Sequence, residues 1–253
     1  MRYNLDVTIV CMGLPMTGNT ISSGQPLGGS ETACLQAARA LAKIGHSVTV
    51  FCNTEQQHIV DKVIYLPFGW VNAVGTPEAK FPKAMFDYCR STPCDVLLVQ
   101  RQPGIFQFEY PAKANILWQH DLATKLGPSN FGGVIWNLDK IFVLSQFMKR
   151  QYQGVYGGPD SLYHVTRNGV DLGLIDSVPT QERDRFKVMF TARPERGLDI
   201  LLTQVWPEVL KREPRARLYL SRYQDPTTLP LYTELAQLAQ RYGNTVTDLG
   251  HLG

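Results

Sequence analysis

The chain lacks any run of eighteen apolar residues, so it offers no segment able to cross a bilayer as a helix. Its first residues carry no basic stretch followed by a long apolar run, which speaks against a secretory leader. Charge of one sign is scarce. With 25 basic and 22 acidic side chains the balance is +3, too mild to mark a nucleic-acid-binding surface but suited to an anionic small ligand. The five cysteines (Cys11, Cys34, Cys52, Cys89, Cys94) are odd in number, scattered and without a C-x-x-C pair, which disfavours zinc and redox sites. They read as reduced core residues of a cytoplasmic protein. No metal-ligand cluster is visible. The first loop holds Gly13, Gly18, Gly24, Gly28 and Gly29 but no G-x-G-x-x-G at the right place; G-K-[ST] and G-x-S-x-G are missing altogether. A nicotinamide dehydrogenase, a P-loop NTPase and a serine hydrolase are therefore disfavoured. Neither repeats nor low-complexity segments occur.

What is present is ordinary globular material: 253 residues, 44% hydrophobic and 19% charged, enough for one large core or two smaller ones. Short β-rich apolar runs recur at residues 6–12, 47–52, 62–66, 95–99, 115–119, 140–144, 162–166, 186–191, 216–221 and, weakly, 245–249. Several are continuously apolar, as strands covered on both faces must be. Between them lie helical stripes: Cys34, Ala37, Ala38, Leu41 and Ile44, stopped by Gly45; Leu198, Leu201, Leu202, Val205 and Val209; and Leu231, Leu235 and Leu238. Strand–helix alternation predicts an α/β protein with a doubly wound parallel sheet. The polar, Pro-containing stretch 176–185 sets the boundary between a Rossmann-like domain at 1–180 and a partial second one at 181–253. The last residues, Leu249 to Gly253, read as a strand end running into a loop, so the chain is expected to be a fragment of a longer protein.

Two junctions carry the chemistry. Gly28-Gly29-Ser30-Glu31 follows an apolar strand and opens a helix. The glycines permit close backbone approach, Ser30 can cap the helix, and the helix start favours an anion, so the junction suits a phosphate or a polyol. Downstream, Arg193 and Arg196 in Thr191-Ala192-Arg193-Pro194-Glu195-Arg196-Gly197 stand between another strand and helix. The pair reads as a clamp for a diphosphate or as a solvated loop bridging to Glu195 or Asp199. The two junctions predict two facing halves with a cleft between them.

These residues, with the run Gln36 to Phe51, the short motif Asn168-Gly169-Val170-Asp171 and the segment Phe190 to Leu202, resemble the retaining GT-B glycosyltransferases of family 4 in order and spacing. The resemblance implies a GT-B-like fold, with 1–180 as the acceptor-side domain and 181–253 as part of the donor domain. It implies transfer of a hexose, with retention, from a nucleotide-diphosphate sugar such as UDP-glucose to a saccharide or lipid-linked acceptor, in polysaccharide or glycolipid biosynthesis. The nucleotide sugar is a substrate; no cofactor and no metal are implied. Arg193 and Arg196 would hold the diphosphate, Gly28, Gly29, Ser30 and Glu31 would form the opposite wall, and His120 would touch the transferred sugar. In the family the second basic residue of the donor loop is a Lys placed further on; here it is Arg196, which can clamp phosphate with a bidentate fork. The family's paired glutamates, which grip sugar and ribose, belong past residue 253. A nucleotide-sugar epimerase and a non-catalytic sugar-binding remnant are the alternatives.

Other positions have plainer readings. His120-Asp121 follows a strand, where doubly wound sheets line their ligand crevice, though the histidine can equally be satisfied by backbone and Asp121 can cap a helix. Arg101 reads as a surface residue or as a contact for an acidic acceptor group. Ser145 reads as a helix cap. Lys149, Arg150, Tyr152 and Tyr156 read as a solvated helix face, or else as a patch for an anionic membrane surface. Asn168 and Gly169 suit a turn with positive φ, and residues 68–86 read as a long loop.

Overall fold

The computed structural model describes residues 4–25, 27–73, 76–123, 131–179, 182–221 and 230–250. Residues 251–253 of the predicted chain end and Thr180 and Gln181 of the polar stretch lie outside them, as does the Leu231 side chain of the third helical stripe. The chain divides into two compact units, Met1–Val170 and Asp171–Gly253.

The first unit is built on an eight-stranded sheet. Its strands are β1 (Asp6–Cys11), β2 (Ser47–Cys52), β3 (His58–Val60), β4 (Val63–Pro67), β7 (Cys94–Gln100), β8 (Ala112–Trp118), β9 (Lys140–Val143) and β10 (Tyr163–Val165), in the order β10-β9-β8-β7-β1-β2-β4-β3. All neighbours are parallel except β3 on β4. The predicted runs of this region are all strands. They are continuously apolar because alternate residues enter different cores: Ile9 and Val50 join Cys34, Leu35 and Ala38 of helix α1 (Gly29–Lys43), whereas Val10 and Phe51 join the opposite core. That second core also takes Met85 and Phe86 of α2 (Lys83–Ser91) and Met148 and Tyr152 of α3 (Gln146–Tyr156).

Several expectations are corrected. Residues 68–86 are no long loop. They form a hairpin of β5 (Trp70–Ala73) and β6 (Thr76–Pro82), followed by the start of α2. Pro77 and Pro82 and the want of apolar alternation hide these strands from a periodicity reading. On α1 the buried face is Glu31, Cys34, Leu35, Ala38 and Ala42; of the predicted stripe Cys34 and Ala38 lie on it, Ala37 and Leu41 flank it partly buried, and Ile44 is 53% exposed. The positive φ near residue 168 belongs to Arg167 (φ 60°), not to Asn168 or Gly169. Tyr152 is buried and Tyr156 half-buried, so the two do not lie on an open helix face. Their hydroxyls donate to the carbonyls of Asp121 (3.0 Å) and Ala123 (2.9 Å). Ser145 caps α3 as expected, accepting from the Met148 N–H at 3.1 Å.

All five cysteines are free. A hydrogen bond to Cys11, which favours the neutral thiol, and burial push the Cys34 thiol up, and burial pushes Cys52 up to about 12. These thiols stay protonated and act as small apolar groups.

Helix α1 stops where Gly45 turns left-handed (φ 105°). The Gly45 N–H donates to Ala42 O and the His46 N–H to Leu41 O, both at 3.1 Å. A side chain at 45 strains this turn, so Gly45→Ala should lower unfolding free energy by about 1–2 kcal/mol. A urea midpoint that does not move would refute it.

The second unit contains α4 (Leu172–Ser177) and a parallel three-stranded sheet in the order β11-β12-β13: β11 (Lys187–Phe190), β12 (Arg217–Leu220) and β13 (Val246–Asp248). One long helix runs through α5 (Leu198–Ile200), a π turn (Leu201–Val205) and α6 (Trp206–Arg212), and α7 (Pro230–Gln240) follows β12. The wider π turn precedes Pro207, which has no N–H to give. It rotates the predicted stripe: Val205 is 45% exposed and Trp206 is 1% exposed, packed with Leu198, Leu202, Leu218 and Leu220.

Among the described residues no helix is long and apolar enough to cross a membrane.

Candidate functional site

In the first unit the strand order reverses between β1 and β7, the position where open α/β sheets place their ligand crevice. Cys11 pairs with Gln100 and Gln100 with Trp118, so β1, β7 and β8 end level. The residues just beyond those ends, together with the start of α1, make one connected cluster.

Its floor is Glu31, 4% exposed. The carboxyl accepts the Leu14 N–H at 3.0 Å and lies against two glycines. A Cβ at Gly13 would stand 1.9 Å from Glu31 Oε1, and one at Gly28 would stand 2.3 Å from Oε2. These glycines therefore make room for an acidic side chain of the protein itself, whereas Gly29 faces open space. The N-cap of α1 is Gly28, without a side-chain cap. Ser30 is thus not the cap predicted for it. Being inside the helix, it points its hydroxyl at Arg101 Nη1, 3.2 Å away.

Arg101 follows β7 with φ 65°, a left-handed backbone that its N–H steadies by donating to Trp118 O at 3.0 Å. Its Nε and Nη2 both donate to Asp121 Oδ2, at 2.8 and 2.7 Å. Asp121 is in turn held from α3 by Tyr152. Arg101 and Asp121 are therefore partners across the site, which sequence reasoning, taking the first as a surface residue or an acceptor contact and the second as a cap, did not pair.

His120 lies tilted against Trp118 (centroids 4.7 Å apart, planes at 51°), and its Nε2 lies 2.8 Å from Gln100 Nε2. Gln100 is 1% exposed and also donates to Ser30 O at 2.9 Å. Burial, then the Arg101 guanidinium, lower the His120 pKa from 6.5 to about 4, against the pull of Asp121 and Glu31. The imidazole is neutral at pH 7. Between pH 6.5 and 4 the unfolded chain takes up this proton before the folded one, so stability falls as the pH drops through that window. Partial exposure of the ring trims the effect to about 2 kcal/mol. Between pH 7 and 4.5 the chain should lose that much more unfolding free energy than His120→Asn does; equal losses would refute it.

In the second unit Arg193 and Arg196 bracket a short turn in which the Arg196 N–H donates to Arg193 O at 2.9 Å. Arg193 Nε lies 2.9 Å from Glu195 Oε1, the bridge that the sequence had offered as one reading, and Arg196 is exposed. Gly197 (φ 101°) then turns the chain into α5. Among the described residues no group of three or more His, Cys, Asp or Glu side chains could hold a metal ion.

Structure thus brings together Ser30, Glu31, Gln100, Arg101, His120 and Asp121. Gln100 could have been found in the sequence by the rule that picked His120, since it too sits at a strand end, as does Arg101, already read in one of two alternatives as a contact for an acceptor. The cluster can donate and accept hydrogen bonds to a polyol, with one guanidinium for an anion.

The family model for Glycosyltransferase Family 4 matches residues 27–174. No curated protein sequence matches the chain. Among solved structures, it is similar to Anabaena HepE in complex with UDP-glucose (TM-score 0.63, 16% identity, 99% of this chain and 70% of that one). It is similar also to the α,α-trehalose 6-phosphate synthase of Burkholderia multivorans (0.63, 12%, 99% and 74%). A third is the UDP-GlcNAc 2-epimerase of Methanocaldococcus jannaschii (0.50, 11%, 98% and 74%). At these identities the likeness is one of fold, the GT-B fold.

Proposed function

Since the chain belongs to glycosyltransferase family 4, we propose that it transfers a hexose from a UDP-sugar to a saccharide or lipid-linked acceptor, with retention, in polysaccharide or glycolipid biosynthesis. That it is a nucleotide-sugar glycosyltransferase follows from the family. The UDP donor is supported by the HepE structures, which hold UDP-glucose, UDP with glucose, and UDP.

One observation carries the finer reading: a neutral imidazole, a guanidinium and a hydroxyl converge at the topological switch point. A neutral His120 can bond a sugar hydroxyl without attracting a competing anion. Gly28, Gly29, Ser30 and Glu31 form the wall beside it. The buried Glu31 carboxyl suits hydroxyl donors there better than a second negative charge. Arg193 and Arg196 take the departing diphosphate, whose growing charge is the largest electrostatic demand of the reaction. We place the reaction in the cytoplasm, a reading supported by five free cysteines.

Calorimetry with UDP and UDP-glucose tests donor binding, and product analysis with and without an acceptor tests the reaction. Heat with both nucleotides and turnover only with acceptor is the expected result. Donor conversion without acceptor would replace this reading by the epimerase one, and no heat with any nucleotide would remove both.

A further inference from the structure

The least exposed polar side chain touching His120 has no part in the reading so far. We propose that Gln100 is a positioning residue: it fixes the His120 proton on Nδ1 and so makes that N–H the donor offered to the sugar. The sugar half of this inference rests on the function proposed above; the proton half does not.

The amide orientation is set by its other partner. Ser30 O only accepts, so the group 2.9 Å from it is the Gln100 NH2 and not the carbonyl oxygen. The same nitrogen lies 2.8 Å from His120 Nε2. An amide nitrogen has two protons and no lone pair to offer, so one proton goes to Ser30 O and the other to His120 Nε2. Nε2 is then an acceptor and bears no hydrogen. A neutral ring in that state carries its proton on Nδ1. An imidazolium would set N–H against N–H, so the contact excludes the charged ring independently of burial. The other groups facing the ring are the Trp118 indole on β8, Arg101 after β7, Asp121 after β8 and Glu31 on α1. Among the described residues nothing bonds Nδ1, which leaves its N–H for a ligand oxygen.

The isosteric change Gln100→Glu reverses the logic. A carboxylate accepts only, so it calls for a proton on Nε2 and draws the second one on as well. The full chain, 15N-labelled at histidine, is examined by long-range 1H–15N correlation, with the His120 signals assigned by their loss in His120→Asn. The unaltered protein at pH 7 should show a protonated Nδ1 and a bare Nε2. In Gln100→Glu the proton should sit on Nε2 or on both nitrogens, and the His120 titration should move up by about one pH unit or more. Gln100→Met, which neither donates nor accepts there, should give mixed tautomers; it also serves if the glutamate variant does not fold. A proton on Nε2 in the unaltered protein, or one tautomer shared by all three proteins, overturns the inference.

Calorimetry on the same proteins separates the two halves. Gln100→Glu should bind UDP-glucose about tenfold more weakly and UDP equally well. Equal UDP-glucose binding by the unaltered and Gln100→Glu proteins overturns the positioning role. Protonated Nδ1 in a protein that binds no UDP-glucose upholds the proton assignment and overturns the sugar reading.

Discussion

Arg193→Ala is expected to weaken UDP binding by about 2–4 kcal/mol, the scale of a lost charge-stabilising donor. Arg193 precedes Pro194 and is extended (φ −59°, ψ 140°), the backbone that a following proline favours. Its guanidinium lies 2.9 Å from Glu195, but the two side chains are 40% and 39% exposed. At that exposure the ion pair itself contributes about 0–1 kcal/mol. Arg193→Lys keeps the charge and loses the planar fork, so its affinity should fall between the two. Calorimetric titration reads all three proteins. Undiminished UDP affinity in Arg193→Ala would show that the diphosphate is held elsewhere.

Trp206→Ala should destabilise the second unit by about 3–5 kcal/mol. Trp206 is the largest fully buried side chain there, and its indole N–H reaches Thr245 Oγ1 at 3.4 Å. The core around it is small: Leu198, Leu202, Leu218, Leu220 and Leu235 supply most of its bulk. A loss of that size is a large share of what so small a unit can hold. Hydrogen exchange should find the amides of β11 and β12 unprotected in the variant while β1, β7 and β8 keep their protection. Retained protection in β11 and β12 would refute the prediction.

Fold class was open to the sequence because parallel strands covered on both faces announce themselves as unbroken apolar runs. Ten β-rich apolar runs were predicted, several of them unbroken, and each holds a strand. What escaped was of two kinds. The hairpin β5–β6 carries Pro77 and Pro82 and no apolar alternation, and the short edge strand β3 is only partly buried, so neither leaves an apolar period to read. Side-chain orientation was the other. The first helical stripe missed Leu35, and the second put Val205 where the π turn admits Trp206. The cluster was half legible. His120 stood out as a residue just past a strand. Its contact with Gln100, and the tie of Arg101 to Asp121, arise from the β7–β8 register, which sets residues about twenty apart in sequence side by side. Glu31 looked like a wall residue beside permissive glycines; that Gly13 and Gly28 are small to admit its own carboxyl needed coordinates.

The left-handed backbone at Arg101 sets heat resistance against use. A non-glycine residue at φ 65° forgoes about 1–2 kcal/mol that glycine would not. Random variants sorted only for survival on warming should therefore collect Arg101→Gly, and lose with it the guanidinium that joins Ser30 to Asp121. Directed evolution of a sturdier catalyst would have to screen turnover at every round, or it would soften the pocket while hardening the scaffold.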